Sequence, residues 1–272
     1  SGGLTERQVT LLQDFGARIL CATPSYALNI AEVAETMGVD IRTLPMQIGI
    51  FGAEPWTDEM RRDLEARLNI AAVDLYGLSE IIGPGVAVEC GVARNGLHGW
   101  EDHFLFEVID PKTLEPARPG EAGELVITTL TKEALPMVRY RSRDITRLTD
   151  EPCACGRTHR RILRVTGRDD DMMIIRGVNV YPSQIEALLI GLPDISPHYQ
   201  IVLTRDGALD AMTVEIEVAP GASHDDMQKC ADISGRIKSR LGVSCTIALK
   251  APGDLPRSQG KAVRVKDLRK KA

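Results

Sequence analysis

Apolar and polar segments alternate regularly over the first 80 residues of the chain. Short apolar runs typical of buried strands are separated by longer stretches typical of helices. The predicted helices are Thr5–Asp14, Pro24–Met37 and Asp58–Leu68, and the predicted strands are Arg18–Ala22, Gln47–Phe51 and Ala71–Tyr76. Thr5 with Gln8 has the spacing of a capping box, and Thr57 can cap the third helix. Strands that alternate with helices predict a parallel sheet covered by helices.

After Gly83 the pattern changes to short strand-like runs separated by glycine, proline and aspartate turns. The predicted strands of this region are Val86–Glu89, Phe104–Asp110, Gly123–Thr129, Val138–Tyr140 and Ile145–Thr149. This arrangement favours an antiparallel β region that follows the α/β layer.

A third pattern begins near Arg168 and has the size and composition of a small α+β unit. It contains a hairpin-like stretch Met172–Tyr181, helices Ser183–Ile190 and Ser223–Leu241, and strands Gln200–Thr204, Met212–Val218 and Ser244–Lys250. The predicted fold class is therefore α/β plus α+β in two domains. The first domain covers residues 1–169, with an α/β layer at 1–82 and a β region at 83–169, and the second covers residues 170–272.

Composition excludes several classes of function. A net charge of −5 and an aromatic content of 4% argue against a dedicated nucleic-acid binder. No apolar run approaches the roughly 18 residues that a membrane span needs, and nothing at the N-terminus suggests export. Six cysteines in 272 residues are too few for a disulfide scaffold, so a reducing cytoplasmic location is expected.

Two segments at predicted strand ends carry candidate chemistry. The turn Gly52-Ala53-Glu54-Pro55-Trp56 follows the second strand, and its small residues let the backbone approach a flat ligand closely. The segment Asp74-Leu75-Tyr76-Gly77-Leu78-Ser79-Glu80 ends the third strand. Gly77 permits a sharp turn, and Glu80 is then either a ligand for a Mg²⁺ ion that bridges nucleotide phosphates or a helix-cap acid.

Charged residues cluster in two further places. Asp144 and Arg168 together suit the grip of a ribose, because a carboxylate accepts from both vicinal hydroxyls and a guanidinium adds donors. Three successive aspartates, Asp169–Asp171, repel one another and suit a hinge.

Lys261 lies in a basic tail, residues 236–272, that holds 11 Lys or Arg and two acids. The loop around Lys261 does not have the spacing of a Walker A motif. Lys261 is therefore either an ordinary surface residue or a residue on a mobile loop whose positive charge stabilises a developing oxyanion.

The cysteines allow a metal site. Cys153-Ala154-Cys155-Gly156 is a short knuckle on a polar loop, and Cys90 with His98 can complete a Cys₃His set for Zn²⁺, with His103 as a substitute ligand. The alternative is that all are reduced and unligated. C-x-C is less diagnostic than a pair of C-x₂-C motifs, and both interpretations stay open at this point.

Five ordered motifs resemble those of phenylacetate–CoA ligases, within the adenylate-forming superfamily of acyl-CoA synthetases. They are G-A-E-P-W, Y-G-L-S-E, Y-R-S-R-D, G-R-x-D-D-M-x-I-I-R-G-V-N-V-Y-P-S-Q-I-E and P-R-S-Q-G-K. The segments G-L-H-x-W-E-D-H-F and P-H-Y-Q are typical of the phenylacetate branch. The resemblance implies the C-terminal part of a large α/β and β-barrel-like AMP-binding domain, followed by a small lid domain.

The resemblance also implies a two-step reaction and a set of roles. A carboxylate of phenylacetate or a close aromatic acid attacks the α-phosphate of Mg·ATP, and CoA then displaces AMP. The implied ATP- and AMP-binding residues are Gly52, Ala53, Glu54, Pro55, Asp74, Tyr76, Gly77, Ser79, Asp144 and Arg168. Lys261 and Glu80 would be catalytic, Glu80 as the Mg²⁺ ligand, and Asp170 would be the hinge. Gly177, Val178 and Asn179 would contact CoA. A homodimer, without nucleic-acid or membrane partners, is expected.

One departure from the family concerns the phosphates. The superfamily's Ser/Thr/Gly-rich phosphate loop is not found in this sequence, which resembles a C-terminal portion only. We therefore expect little adenylating activity from this polypeptide alone, as measured by ATP–pyrophosphate exchange. Two alternatives remain: an adenylating enzyme that loads a carrier protein, and a truncated, non-catalytic nucleotide-binding module.

Overall fold

The computed structural model describes residues 4–118, 120–206, 209–257 and 262–269. The chain opens with alternating helices and strands: α1 (Thr5–Asp14), β1 (Ile19–Ala22), α2 (Pro24–Thr36), β2 (Ile48–Gly52), α3 (Asp58–Leu68) and β3 (Ala71–Leu78). Strands β1, β2 and β3 are parallel neighbours, which confirms the α/β prediction. Apolar residues of the helices and of the sheet pack into one core around Leu28, Phe51 and Leu64.

The sheet continues into the next part of the chain through a hairpin. The following strands are β4 (Ile82–Glu89), β5 (Leu97–Gly99), β6 (Phe104–Ile109), β7 (Gly123–Thr129), β8 (Tyr140–Thr146), β9 (Leu148–Thr149), β10 (Arg161–Ile162) and β11 (Gly167–Arg168). The first sheet has the order β1-β2-β3-β4-β5-β10-β9, with antiparallel pairing from β3 onward. A second, antiparallel sheet has the order β11-β8-β7-β6. A core around Phe104, Phe106 and Ile127 lies in this β region.

The C-terminal part has its own core. Its elements are β12 (Met173–Ile175), β13 (Val178–Val180), α4 (Pro182–Leu189), β14 (Ile195–Asp206), β15 (Leu209–Val218), α5 (Met227–Leu241), β16 (Thr246–Lys250) and β17 (Val265–Asp267). Strands β12 and β13 form a hairpin, and the remaining four have the order β16-β15-β14-β17. Helices α4 and α5 contribute Ile185 and Ile237 to a core shared with that sheet. The predicted α+β character is confirmed.

The helix start at the N-terminus corrects one prediction. Thr5 is the first residue of helix α1 and not its N-cap, which is Leu4, and no side chain caps this end. The Thr5 hydroxyl instead lies 3.3 Å from the hydroxyl of Tyr26. By contrast, Thr57 caps α3 through its side chain, which accepts from the backbone N–H of Met60.

The bounds predicted for two strands near Asp144, Val138–Tyr140 and Ile145–Thr149, are wrong. The structure has β8 at Tyr140–Thr146, across the predicted break, and the separate short strand β9 at Leu148–Thr149. Arg143, with a φ of 67°, lies where the β7–β8 pairing is irregular, and the strand continues through it. The buried Ser142 hydroxyl donates to the carbonyl of Leu125 at 2.8 Å. A buried polar residue can therefore lie inside this strand because its hydroxyl is hydrogen-bonded there. Such polar residues interrupt the apolar pattern of a strand, so the pattern alone predicts a break.

A buried ion pair ties helix α3 to the first sheet. Arg61 donates to both carboxylate oxygens of Glu89 at 2.8 and 2.9 Å, and also to the carbonyl of Ala72 at 2.6 Å. Its guanidinium lies 4.7 Å from the centre of the Trp56 ring. Arg61 and Glu89 are only 7% and 9% exposed, so each charge depends on the other for compensation.

We expect Arg61→Leu to lower the free energy of unfolding by about 3–5 kcal/mol, because it leaves a buried carboxylate unpaired. Urea unfolding measures the change. The double variant Arg61→Leu/Glu89→Gln should recover part of the loss. Arg62→Leu, on the exposed face of the same helix, is the control and should change the free energy by less than about 1 kcal/mol. Equal stability of Arg61→Leu and Arg62→Leu would contradict this account.

Candidate functional site

The turn after β2 is built by close backbone contact. A Cβ on Gly52 would lie 2.2 Å from the carbonyl oxygen of Leu75, so a larger residue cannot occupy this position without a shift. The next residue, Ala53, has a φ of 70°. This geometry turns the chain sharply at the carboxyl end of a parallel strand, where ligands of α/β sheets bind.

Glu54 connects three parts of the chain. One carboxylate oxygen accepts from the backbone N–H of Ser25, at the start of α2, at 2.7 Å. The other accepts from the backbone N–H of Ala262 at 2.8 Å. Glu54, one of the ATP- and AMP-binding residues that the resemblance implies, thus also holds the chain at the residue after Lys261. Lys261 itself lies outside the described residues.

Tyr76 and Asp144 join the two sheets of the first part of the chain. The Tyr76 hydroxyl donates to Asp144 at 2.5 Å, although 68 residues separate them in sequence. Burial, followed by the negative charge of Asp144, raises the pKa of Tyr76 well above its usual value. Asp144 is also the direct register partner of Arg168 across strands β8 and β11. The structure therefore brings together the three residues Tyr76, Asp144 and Arg168.

Two predicted positions differ from the expected geometry. Gly77 does not form a sharp turn, because it lies within β3, where a Cβ would come 2.5 Å from the Cα of Gly85 on β4. The glycine is needed for this close strand contact. Asp74 accepts from the indole N–H of Trp56 at 2.9 Å, and burial, with a smaller contribution from Glu89, raises its pKa.

Ser79 and Glu80 lie on the turn between β3 and β4, and both are exposed. The backbone carbonyl of Glu80 accepts from the ammonium group of Lys132 at 2.8 Å. Because Glu80 is exposed, its carboxylate is accessible to solvent just after the end of β3, four residues after Tyr76. The alternative of a helix-cap acid does not apply, since no helix follows this turn.

The predicted hinge and CoA-contacting residues lie at the start of the C-terminal part. Asp170 belongs to a single 3-10 turn, Asp169–Asp171, directly after β11. Gly177 has a φ of 82° in the turn between β12 and β13, with Val178 and Asn179 on β13. Gly177 and Asn179 are exposed, so this hairpin presents its turn to solvent.

A group of charged residues between the two parts was missed in the sequence. Glu32 on α2 accepts from the ring N–H of His198 at 2.6 Å and from Arg257 at 3.0 Å. Arg257 also donates to both carboxylate oxygens of the buried Glu217, at 2.8 and 2.6 Å. His198 belongs to the P-H-Y-Q segment, which was the available signal. Its partner on a helix far away in sequence could not be inferred.

These residues border a cleft of about 450 Å³ between α2 and the C-terminal part. Ser25, His198, Arg257, Ala262 and Arg264 are among the residues that line it. Ser25 and Ala262 are the two backbone donors to Glu54. The cleft therefore lies next to Glu54 of the turn after β2.

The predicted metal ligands converge. The ligand atoms of Cys90, His98, Cys153 and Cys155 all lie within 4.8 Å of one another. A backbone hydrogen bond from Arg157 lowers the pKa of the Cys155 thiol to about 6. His103 lies elsewhere, where its ring nitrogen is 2.8 Å from the hydroxyl of Thr131, and it is not part of this group.

Comparison with known proteins identifies the family. The profile of the AMP-binding enzyme family matches residues 3–131, and that of the AMP-binding enzyme C-terminal domain matches residues 177–269. The chain is 51% identical to a phenylacetate-coenzyme A ligase of Pseudomonas putida and 48% identical to those of Thermus thermophilus and Escherichia coli. Each match covers 99% of this chain. The chain belongs to the AMP-binding, adenylate-forming enzymes.

The chain spans 62–64% of the length of these relatives. The C-terminal-domain match supports the expected resemblance to a C-terminal portion of a phenylacetate–CoA ligase. Family and fold class, both expected from the motifs, are thus confirmed.

Solved structures of the family add information on domain arrangement. A 2-hydroxyisobutyryl-CoA ligase in its postadenylation state, 29% identical, matches with a TM-score of 0.90 over 98% of this chain and 58% of its own. The same enzyme in its thioesterification state, with CoA, matches with a TM-score of 0.61 over 99% of this chain. The structure of this chain is therefore more similar to the postadenylation state of that enzyme than to its thioesterification state.

In the described parts of the chain, no helix combines the length and the hydropathy needed to span a membrane.

We expect Tyr76→Phe to reduce the loss of stability at high pH. The raised pKa of Tyr76 means that its contribution is complete below the unfolded-state pKa of about 10 and is lost as pH rises above it. Urea unfolding should show a smaller decrease in free energy between roughly pH 8 and pH 11 for Tyr76→Phe than for the wild type. Tyr26→Phe is the matched control and should keep the wild-type decrease. The same decrease in all three proteins would rule out the proposed role of Tyr76.

Proposed function

We propose that this chain supplies the adenylate-binding cleft and lid of an aromatic-acid–CoA ligase, with phenylacetate or a close relative as the acid. The observation that carries the proposal is the meeting of Tyr76, Asp144 and Arg168 beside the turn after β2. The identity to phenylacetate-coenzyme A ligases supports the choice of acid. ATP, Mg²⁺ and CoA are the proposed cofactors, Zn²⁺ is proposed as a stabilising metal, and the assembly is proposed to be a homodimer.

The reaction proposed for the complete enzyme has two steps. A carboxylate oxygen of the acid attacks the α-phosphorus of ATP, and the bond to pyrophosphate breaks to give an acyl-adenylate. The sulfur of CoA then attacks the acyl carbon, and AMP leaves. Both steps develop negative charge on oxygen, which a nearby cation stabilises.

Different residues of this chain are proposed to bind the ribose and the adenine of the nucleotide. Asp144, which accepts from Tyr76, is the proposed acceptor for the ribose hydroxyls, because a carboxylate has several acceptor positions. Arg168 adds donors on the neighbouring strand. Gly52, Ala53, Glu54 and Pro55 form the adenine side, and Asp74, Gly77 and Ser79 complete the proposed nucleotide set on β3 and its turn.

Glu80 and Lys261 are the proposed catalytic residues. The exposed carboxylate of Glu80 suits Mg²⁺, which prefers oxygen ligands and keeps several waters. The role of Lys261 is proposed from the P-R-S-Q-G-K motif, since the residue itself lies outside the described part of the chain.

We propose that residues 1–169 and 170–272 are the moving units, with Asp170 at the hinge. The lid would present Lys261 for the first step and Gly177, Val178 and Asn179 to CoA for the second. The two TM-scores against one relative, 0.90 and 0.61, support two arrangements in this family. Movement would separate Glu32 from His198 and Arg257, because they lie on opposite sides of the cleft.

The adenylate site is tested by binding of a stable sulfamate analogue of phenylacetyl-AMP to the 272-residue chain. This probe lacks the outer phosphates, so it does not depend on a phosphate loop. We expect Asp144→Asn to weaken binding by roughly 10- to 100-fold in calorimetry, the effect of losing hydrogen bonds to a charged group worth about 1.5–3 kcal/mol.

Glu121→Gln changes an exposed carboxylate outside the site and should bind like the wild type. Equal binding by Asp144→Asn and the wild type, or no binding by the wild type, would refute the site. Transfer from preformed phenylacetyl-AMP to CoA or to a carrier-protein thiol then separates the ligase from the carrier-loading alternative.

The interface between the units is tested by hydrogen exchange. Glu32→Gln removes the charge that His198 and Arg257 share, so we expect backbone amides around 195–200 and 250–257 to exchange about tenfold faster, equivalent to roughly 1.4 kcal/mol. Glu35→Gln, exposed on the next turn of α2, is the matched control. Unchanged exchange in Glu32→Gln would show that this residue does not hold the lid.

A further inference from the structure

Four side chains with metal-binding atoms meet at a place that the proposed reaction does not use. Cys90 follows β4, His98 lies on β5, and Cys153 and Cys155 lie on the loop between β9 and β10. Between Cys90 and Cys153 the chain passes through most of the second sheet, so local sequence does not bring these residues together. The fold of the β region does.

The distances agree with a tetrahedral zinc centre. Zinc–sulfur and zinc–nitrogen bonds of about 2.3 and 2.0–2.1 Å place two sulfurs roughly 3.8 Å apart, and a sulfur and a nitrogen roughly 3.5 Å apart. The Sγ atoms of Cys90 and Cys153 are 3.7 Å apart, and Cys155 Sγ lies 3.4 Å from His98 Nε2. These two distances match edges of such a tetrahedron, and all four ligand atoms lie within 4.8 Å of one another.

The surroundings orient the ligands. The other ring nitrogen of His98 lies 3.4 Å from the carbonyl oxygen of His159, an arrangement in which Nδ1–H donates and Nε2 points toward the sulfurs. The backbone N–H of Ala93 donates to Cys90 Sγ at 3.4 Å. Cys90, His98 and Cys153 are 2%, 1% and 8% exposed, so water has little access to this side of the cluster.

We propose that Cys90, His98, Cys153 and Cys155 bind one Zn²⁺ ion that stabilises the β region. Four protein ligands fill a tetrahedral shell, which is the pattern of structural rather than catalytic zinc. Nitrogen and thiolate donors favour zinc over magnesium or calcium. The ion links the end of β4 and strand β5 to the loop before β10, where β5 and β10 pair over only two residues.

The first experiment measures metal content and geometry in the wild-type protein. Protein purified without chelator should contain one zinc ion per chain by mass spectrometry of the metal. Replacement by Co²⁺ should give the intense visible bands of tetrahedral cobalt and the near-ultraviolet charge transfer of thiolate ligands. Removal of the metal by a chelator should lower the melting temperature, and added Zn²⁺ should restore it.

Variants identify the ligands. Cys153→Ser and His98→Ala should lose zinc, whereas Cys230→Ser, a half-buried cysteine of the other core, should retain it. If the ligand variants fail to fold, titration of Co²⁺ into metal-free wild-type protein still tests the site. A wild type without zinc, cobalt spectra without thiolate charge transfer, or a Cys90–Cys153 disulfide in reducing buffer would overturn the proposal.

Discussion

The contact between Tyr76 and Asp144 is the interaction on which the arrangement of the first part of the chain depends. Tyr76 lies on the sheet that begins as a parallel α/β layer, and Asp144 lies on the separate antiparallel sheet. A buried hydroxyl requires a partner, and a partly buried carboxylate requires a donor, so each fixes the other. Their bond sets the distance between the turn after β2 and the Asp144–Arg168 strand pair. The proposed nucleotide site includes both of these features.

Charge compensation at buried positions has two different effects in this molecule. The ion pair of Arg61 and Glu89 lies within one structural unit and holds helix α3 on the sheet. Movement of one unit against the other would leave this pair intact. Glu32 instead bridges two units through His198 and Arg257, and it is 26% exposed at its side chain. Its bonds can exchange with water at modest cost, because partial exposure lowers the desolvation penalty. A strong ion pair inside one unit and a more exposed one between units agree with the proposed movement of the lid.

The Cys–His cluster and the proposed nucleotide site depend on the same sheet but have different requirements. Strand β4 pairs with β3 near Tyr76 and ends at Glu89, beside Cys90. A metal bound by this cluster would fix the end of β4 against β5 and the loop before β10. It would take no part in the proposed reaction. The shortness of β5, β9 and β10 gives a reason for such a link, since strands of two or three residues contribute few hydrogen bonds.

The sequence by itself determined the layer pattern, the family and most element positions. Helix α3 and strand β7 match their predicted bounds, because apolar spacing and capping act over a few residues. The motifs also point to Asp144 and Arg168, which are register partners across strands β8 and β11. Tertiary structure alone decided that Gly77 is required by Gly85, that Glu32 meets His198, and that four ligands lie within 4.8 Å. These contacts join separate strands, helices and loops, and their free energy comes from burial and geometry that local sequence does not specify.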